Sequence, residues 1–436
     1  MDSSFHIWTI GCQMNTADSR RLAEELEGVG YAAAGEPEGA DLVVLYSCMV
    51  RQHAEDKVHT ELGMLKRMKR ERPSKKVVLA GCIGDPDWWR QKYPWVDYFL
   101  QPGQDLSVKN KLRDLLEIQE YYRDEPPGAE RARGISEGIT IHQGCNRACT
   151  FCIVPSTRGG ERSRTPDSIV AEANDLVRRG AREVVLLSQI VERYGRDMTP
   201  RETLARLLER LDREVEGLAR IRFLTSYPGD FGRDLIEAIA RLPKVCEDVN
   251  LPLQSGDDEV LLRMRRGYTI GFYSELVGRL RAAIPGIGIQ TDIIVGFPGE
   301  TEAQFENSLQ ALRDIRFDKV HVAAYSPRPG TPAATWPDQL PLEEKKRRIH
   351  LVEEVQREVS LAKHQRLLGQ EVEVLGEGSA RGSWFGRTRT NRLVHFQSAS
   401  DPTGRLVRVL VSHVGPWSLS GEAVDASHAV PALASV

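Results

Sequence analysis

The first hundred residues alternate short apolar runs with charged, amphipathic stretches. Phe5-His-Ile-Trp-Thr-Ile-Gly-Cys12, Leu42-Val-Val-Leu-Tyr-Ser-Cys48 and Lys76-Val-Val-Leu-Ala-Gly-Cys82 read as strands, and each ends on a cysteine. Helices over about 18–27 and up to about residue 70 separate them. Strand–helix–strand repeats of this kind close into a right-handed parallel sheet, whose strand C-termini share one edge. Open α/β sheets bind ligands at that edge. The three distant cysteines are therefore expected to converge, although each alone is compatible with an inert buried thiol.

A polar, Pro/Gly-containing linker is expected over 121–137. The alternation then resumes, with apolar runs at 138–143, 183–189, 220–225, 248–254, 288–296 and 319–325. Thr165-Pro166-Asp167 opens the first intervening helix as an N-cap followed by proline, and Gly180 stops it. Six β/α units fit a partial barrel whose chemistry lies at the strand C-termini. An amphipathic helix over 342–368 carries Ile349, Val352, Val355 and Val359 on one face and stops at Gly369. Beyond it, short β-like runs at 371–375, 393–396 and 406–411, punctuated by Gly, Ser and Asp, predict a small β-barrel. The expected fold is α/β in three blocks: an N-terminal parallel sheet (1–120), a central (β/α)6 barrel (138–368) and a C-terminal β-barrel (369–425), with a frayed tail (426–436).

Composition adds constraints. With 436 residues, 41% hydrophobic and 28% charged, the chain has the material for two or three filled cores. No apolar run approaches the roughly 20 residues of a membrane span. The N-terminus has neither the basic start nor the apolar stretch of a secretory signal, so a cytoplasmic protein with no membrane association is expected. In that compartment grouped cysteines bind metal more often than they form disulfides. The net charge of −3 argues against a uniformly basic surface. Charge is nevertheless uneven: six arginines, among them Arg381, Arg387, Arg389 and Arg392, face one acid, Asp401, between 381 and 408. Arg147, Arg158, Arg162 and Arg164 surround the second cysteine group. Such runs are either solvated, ion-paired faces or nucleic-acid contacts.

That second group, Cys145-Asn-Arg-Ala-Cys149-Thr-Phe-Cys152, directly follows the first barrel strand. Zinc takes four ligands in paired C-x2-C spacings, and no fourth cysteine or histidine follows here. Three thiolates suit an iron–sulfur cube with one iron left open. An open iron can hold S-adenosylmethionine and deliver an electron to its sulfonium, releasing a 5′-deoxyadenosyl radical. Cys246, outside both triads, reads as a small buried hydrophobe.

The string from Cys145 through Arg164, with Gly11-Cys12-Gln-Met-Asn15, Ser47-Cys48-Met-Val-Arg51 and Gly81-Cys82, closely resembles the radical-SAM methylthiotransferases. Leu251-Pro-Leu-Gln-Ser-Gly256, Asp292-Ile-Ile-Val-Gly-Phe-Pro-Gly-Glu-Thr301 and Tyr325-Ser-Pro-Arg-Pro-Gly-Thr-Pro-Ala-Ala334 resemble that family's barrel motifs, and Gly386–Phe396 resembles its TRAM domain. The resemblance implies two [4Fe-4S] clusters, one on Cys145, Cys149 and Cys152 and an auxiliary one on Cys12, Cys48 and Cys82. It implies S-adenosylmethionine contacts from Phe151, Gln189, Ser226, Gln254, Ser255 and Gly296, and RNA contacts from Arg381, Arg387, Arg389 and Arg392. One S-adenosylmethionine would methylate a sulfur at the auxiliary cluster, and a second would yield the radical that opens the substrate C–H bond. Alone, Gly296-Phe-Pro-Gly is equally a tight turn, Phe151 simple packing, and Gln254 and Ser255 backbone partners.

Within the family the arginine-rich barrel favours an RNA substrate over a basic ribosomal protein, and an anticodon loop presents bases that can be splayed out. The strings match the branch acting on isopentenylated adenosine. Branches acting on threonylcarbamoyl-adenosine or on a ribosomal-protein aspartate are the alternatives, and a non-catalytic iron–sulfur RNA binder is the reading from another class. An electron donor such as flavodoxin or ferredoxin and a monomeric state are expected. Ser47, Ser188, Ile190 and Tyr227 depart from the family pattern at strand ends, where they bear on cofactor or nucleoside contacts.

Overall fold

The computed structural model describes residues 3–48, 52–83, 86–101 and 134–424. The expected linker, apart from its last few residues, and the expected frayed tail lie outside the described residues.

The N-terminal block is an all-parallel sheet of β1 (Ser4–Thr9), β2 (Ala32–Ala33), β3 (Leu42–Cys48), β4 (Lys76–Cys82) and β5 (Tyr98–Leu100), in the order β2-β1-β3-β4-β5. Helices α1 (Gln13–Gly28), α2 (Gln52–Glu71) and α3 (Pro86–Lys92) cover it. Val43, Leu45, Val77 and Leu79 face one core and Leu42, Val44, Val78 and Ala80 the other, which is why β3 and β4 read as unbroken apolar runs. The order reverses between β1 and β3, and such a switch point leaves a crevice beyond the strand C-termini.

The central block is a partial barrel of parallel strands in two three-stranded halves. The first half contains β6 (Ser136–Thr140), β9 (Glu183–Leu187) and β10 (Arg220–Leu224). The second contains β11 (Asp248–Asn250), β12 (Gly288–Val295) and β13 (Lys319–Ala324). The halves join through an Ile221–Val245 bridge and a Ser226 N–H donated to Asn250 O (3.0 Å). A short hairpin, β7 (His142–Gln143) with β8 (Arg162–Ser163), frames the clustered cysteines and the one-turn helix α4 (Val154–Arg158). Helix α5 (Pro166–Arg178) begins on Thr165, whose hydroxyl accepts from Ser168 N–H, as its sequence predicts.

Five more helices, α6 (Leu204–Glu214), α7 (Arg233–Arg241), α8 (Asp258–Arg263), α9 (Ile270–Ala283) and α10 (Glu302–Ile315), fill the crossovers, and α11 (Leu342–Gln365) leads out. The C-terminal block is a closed five-stranded barrel of β14 (Glu371–Ala380), β15 (Ser383–Thr388), β16 (Leu393–Gln397), β17 (Leu406–Val414) and β18 (Leu419–Ala423). β15 and β18 carry too much Gly, Ser, Arg and Glu to stand out as apolar runs.

Two contacts set the architecture. Helix α1 lies across the inner face of the central barrel, with Ala17 packed on Val185, Leu187 and Leu224. Arg20 ties it to Glu137 (2.6 Å), Gly138 O (2.8 Å) and Glu172 (2.8 Å). At the opposite end, the C-terminal barrel docks on the starts of the central strands. Arg220 donates to Arg387 O (2.6 Å), and Arg222 donates to Thr388 O and Arg389 O (both 2.7 Å). Arg389 grips Glu247 through two bonds (2.7 and 2.8 Å), and Arg392 pairs with Asp318 (2.6 Å).

That docking gives arginines of the expected RNA-contact set a structural role as well. Arg389 and Arg392 are committed to ion pairs that hold two domains together, and Arg387 pairs with Glu377 (2.7 Å). Only Arg381 of the four stands exposed without a role in the docking, at a turn with φ +53°. A run of arginines counts charge but not the carboxylates that the fold sets opposite it.

Candidate active site

The scattered triad meets at the switch point. Cys48 and Cys82 are paired neighbours at the ends of β3 and β4. Cys12 differs from its expected position at a strand end. The strand stops at Thr9, and Cys12, extended at φ −91°, is the N-cap of α1, its carbonyl accepting from Thr16 N–H. Its thiol therefore faces the positive end of a helix, which favours thiolate. Hydrogen bonding to Cys48, with smaller help from Asn15 and Arg158, lowers the Cys12 thiol to about 6 against the opposing effect of burial. Gly81 (φ +98°) makes the tight approach possible, since a Cβ there would lie 2.3 Å from Ser47 O. Asn15 is fully buried and donates to that same carbonyl (2.6 Å).

The clustered triad lies on the loop after β6. Arg147 N–H donates to Cys145 Sγ (3.4 Å), and Cys145 N–H to Gly159 O (3.1 Å). Thr150 ties the loop to Arg263 O and Met264 O, and Arg266 directs an N–H at Cys149 Sγ (3.6 Å). Burial pushes the Cys152 thiol up to about 12 and raises Cys82 and Cys145 as well. Thiols in such surroundings stay protonated until a metal displaces the proton, so metal loading and deprotonation are one event. Among the described residues no three His, Cys, Asp or Glu side chains gather tightly enough for a single ion. The donor chemistry, three thiols per set, fits an iron–sulfur cube with one open corner.

Around this edge buried polar atoms lack partners among the described residues: Thr140 Oγ1 at the end of β6 and His142 Nε2 on β7, Gln189 Oε1 and Glu192 Oε1 after β9, Gln254 Oε1 after β11. Folded proteins satisfy most buried polar atoms; others here, such as Arg220 Nε and Arg392 Nε, lie at the far end, but five along one edge suit a cradle for a polar ligand. Gln254 adds a left-handed backbone, φ +75°, uncommon for a non-glycine. Glu192, which sequence reasoning missed, is half-buried with its Oε1 sealed from solvent; desolvation lifts its carboxyl to about 7, against partial relief from Ser226 and the Tyr227 N–H (3.1 Å). Nothing in the local pattern marks it, because its environment comes from β10.

The remaining expected residues divide. Phe151 packs on Val260, Met264, Phe297, Tyr325 and Ala333, and Ser226 is buried beside Glu192. Gln189 donates to Met14 Sδ (2.7 Å), spanning the two domains. Ser255 is turned to Ser308 (3.3 Å) on α10, and Gly296 (φ +68°) donates to Glu300 (2.6 Å) while making room for Lys345. For those two the structure favours the framework role over ligand contact.

The departures are accommodated locally. Ser188 bonds His142 Nδ1 (2.8 Å), and Ile190 is core. The Tyr227 ring lies between the Arg147 and Arg266 guanidiniums at 4.0 and 4.8 Å.

Comparison with known proteins follows the same three-part division. The radical SAM superfamily matches residues 139–312, the uncharacterised protein family UPF0004 residues 4–100, and the TRAM domain residues 365–424. The chain is 46% identical to a tRNA-2-methylthio-N(6)-dimethylallyladenosine synthase of Roseiflexus sp. (strain RS-1), over 96% of this chain and 89% of that one. It is 45% identical to the synthase of the same name from Moorella thermoacetica (97% and 98% covered) and 40% identical to that of Clostridium botulinum (96% and 97%). Among solved structures, the radical S-adenosylmethionine methyltransferase TsrM from Kitasatospora setae shares the fold at a TM-score of 0.58 and 15% identity, over 77% of each chain. With sequence identity of this order sustained across all three blocks, the chain belongs to the radical-SAM family of tRNA-2-methylthio-N(6)-dimethylallyladenosine synthases.

Proposed function

We propose that this protein inserts a methylthio group at C2 of an N6-isopentenylated adenosine beside the anticodon of tRNA. The observation that carries the reading is the meeting of two three-thiol sets, from separate domains, on one edge lined by unsatisfied polar atoms. Cys145, Cys149 and Cys152 would hold one [4Fe-4S] cluster and Cys12, Cys48 and Cys82 the other. When bound, these groups and S-adenosylmethionine supply a 5′-deoxyadenosyl radical at the first triad and a methylated sulfur at the second.

The chain's own residues bind, orient and exclude water. The acceptor oxygens of Gln189, Glu192 and Gln254 suit the amino and hydroxyl donors of an adenosyl group, with Phe151 as an apolar wall. Arg147 and Arg266, stacked on Tyr227, hold positive charge beside Cys145 and Cys149. Helix α1 brings the second triad against the barrel mouth and closes its inner face to water. The C-terminal barrel supplies RNA contact, with Arg381, Arg405 and Arg408 among its exposed cations. Among the described residues no helix is long and apolar enough to cross a membrane. A cytoplasmic monomer reduced by a flavodoxin or ferredoxin completes the proposal.

Nucleoside mass spectrometry of tRNA from a strain lacking this protein decides the substrate. The 2-methylthio nucleoside should vanish and its isopentenyl precursor accumulate; an unchanged methylthio level overturns the assignment. With reconstituted protein, Cys149→Ala should abolish 5′-deoxyadenosine, whereas Cys48→Ala should keep some cleavage and lose sulfur transfer. Equal loss of cleavage in both would count against two separable clusters.

A further inference from the structure

Arg158 stands six residues after Cys152, on α4, yet its side chain belongs to the other triad. Its Nε donates to Cys82 Sγ at 3.2 Å. Its Nη2 donates to Asn15 Oδ1 (3.2 Å) and Asp18 Oδ2 (3.0 Å), both on α1 just past Cys12. The pair with Asp18 is almost sealed from solvent, at 2% and 0% side-chain exposure. Its Nη1 is buried and has no partner among the described residues.

A single guanidinium thus clips the loop of the clustered triad to the strand end and helix start of the scattered one. Desolvating an arginine is costly, and one carboxylate would have served as its partner. Extending two donors across a domain boundary to a thiol and to α1, while a third is buried without a partner among the described residues, is wasteful unless something anionic meets it. A planar guanidinium suits that arrangement because its donors diverge rigidly, which a lysine cannot reproduce.

We propose that Arg158 is a positioning residue for sulfur delivery: it sets the Cys12/Cys48/Cys82 face against the Cys145/Cys149/Cys152 loop and offers its Nη1–H to an anionic sulfur held at that face. The inference rests on the two-cluster reading above and deepens it. Its consequences are separable from cluster binding. A cation beside the second triad favours the more reduced, more negative state of whatever iron–sulfur centre occupies it. Its geometry sets how often a radical event ends in sulfur transfer.

The test uses reconstituted full-length protein in wild-type, Arg158→Lys and Arg158→Gln forms. A Cys145→Ala/Cys149→Ala/Cys152→Ala background isolates the second centre. Iron and sulfide content, the midpoint potential of the isolated second centre, and the ratio of methylthiolated RNA to 5′-deoxyadenosine are measured. Arg158→Gln should shift the potential to more negative values, and Arg158→Lys, which keeps the charge, should shift it less. Both should retain 5′-deoxyadenosine production while product per deoxyadenosine falls about tenfold, the scale of one lost charge-assisted hydrogen bond.

An unmoved potential and unmoved ratio in Arg158→Gln would overturn the proposal. So would loss of second-centre iron in Arg158→Gln with wild-type iron and ratio in Arg158→Lys, which would make the residue a structural brace. If wild-type protein produces no methylthiolated RNA, the functional reading fails, while the potential shift still tests the placement of Arg158.

Discussion

Glu192 shows how much chemistry one residue can take from its surroundings. Desolvation raises its carboxyl from 4.5 to about 7, so the folded protein holds a proton there that the unfolded chain has released. The folded state binds more protons across that window, and stability falls as pH rises from 4.5 to about 7, by up to about 3 kcal/mol. Glu192→Gln has no such proton to lose. Urea unfolding at pH 5 and pH 8, without added S-adenosylmethionine, should show the variant gaining on the wild type at the higher pH; parallel profiles would exclude the burial effect. The same scale explains Cys12. As one more strand-end thiol it would resemble Cys82, which burial raises; as the N-cap of α1 beside Cys48 it is lowered instead.

At the scale of elements, the hydrophobic pattern marked β3, β4 and the central strands because their apolar residues are consecutive and their ends carry glycine or polar residues. It missed β15 and β18, whose pairing depends on partners in a closed barrel rather than on their own residues. It also gave no sign that arginines of that barrel, and of the strands beneath it, anchor the docking. Arg222, 4% exposed, lies between Glu183 and Asp248 and reaches two carbonyls of the docked domain. Arg222→Ala leaves Glu183 and Asp248 buried without their cation, with Ser136 and Gln290 still donating to them, and should cost about 3–5 kcal/mol. The urea midpoint should drop, and amide exchange should rise selectively in 383–397; a loss confined to global stability would mean the docking does not depend on this residue.

At the scale of the whole molecule, the central strands separate the two working ends. The thiol triads sit past their C-termini and the C-terminal barrel at their starts. β12 alone has eight residues, a span of about 26 Å at about 3.3 Å per residue. An RNA that reaches both ends therefore lies along the barrel flank. This bears on which arginines meet phosphate. The salt dependence of tRNA binding should weaken in Arg381→Ala by about 0.7–0.9 in log–log slope, the value for one phosphate contact. Arg389→Ala should leave the slope nearly unchanged and act on stability through Glu247 instead. The opposite ranking would mean that the domain undocks on RNA.

The sequence by itself determined the three blocks, the parallel sheets, the two cysteine triads and the family, because periodicity, chain-local spacing and long motif strings are properties of neighbours along the chain. Tertiary structure alone decided what those parts are next to. It made Cys12 a helix cap, turned Arg389 and Arg392 into domain anchors, sealed one Glu192 oxygen without a partner among the described residues, and carried Arg158 from one triad to the other. Burial and charge pairing are set by residues that arrive from elsewhere in the chain, and here they set the electrostatics of the site.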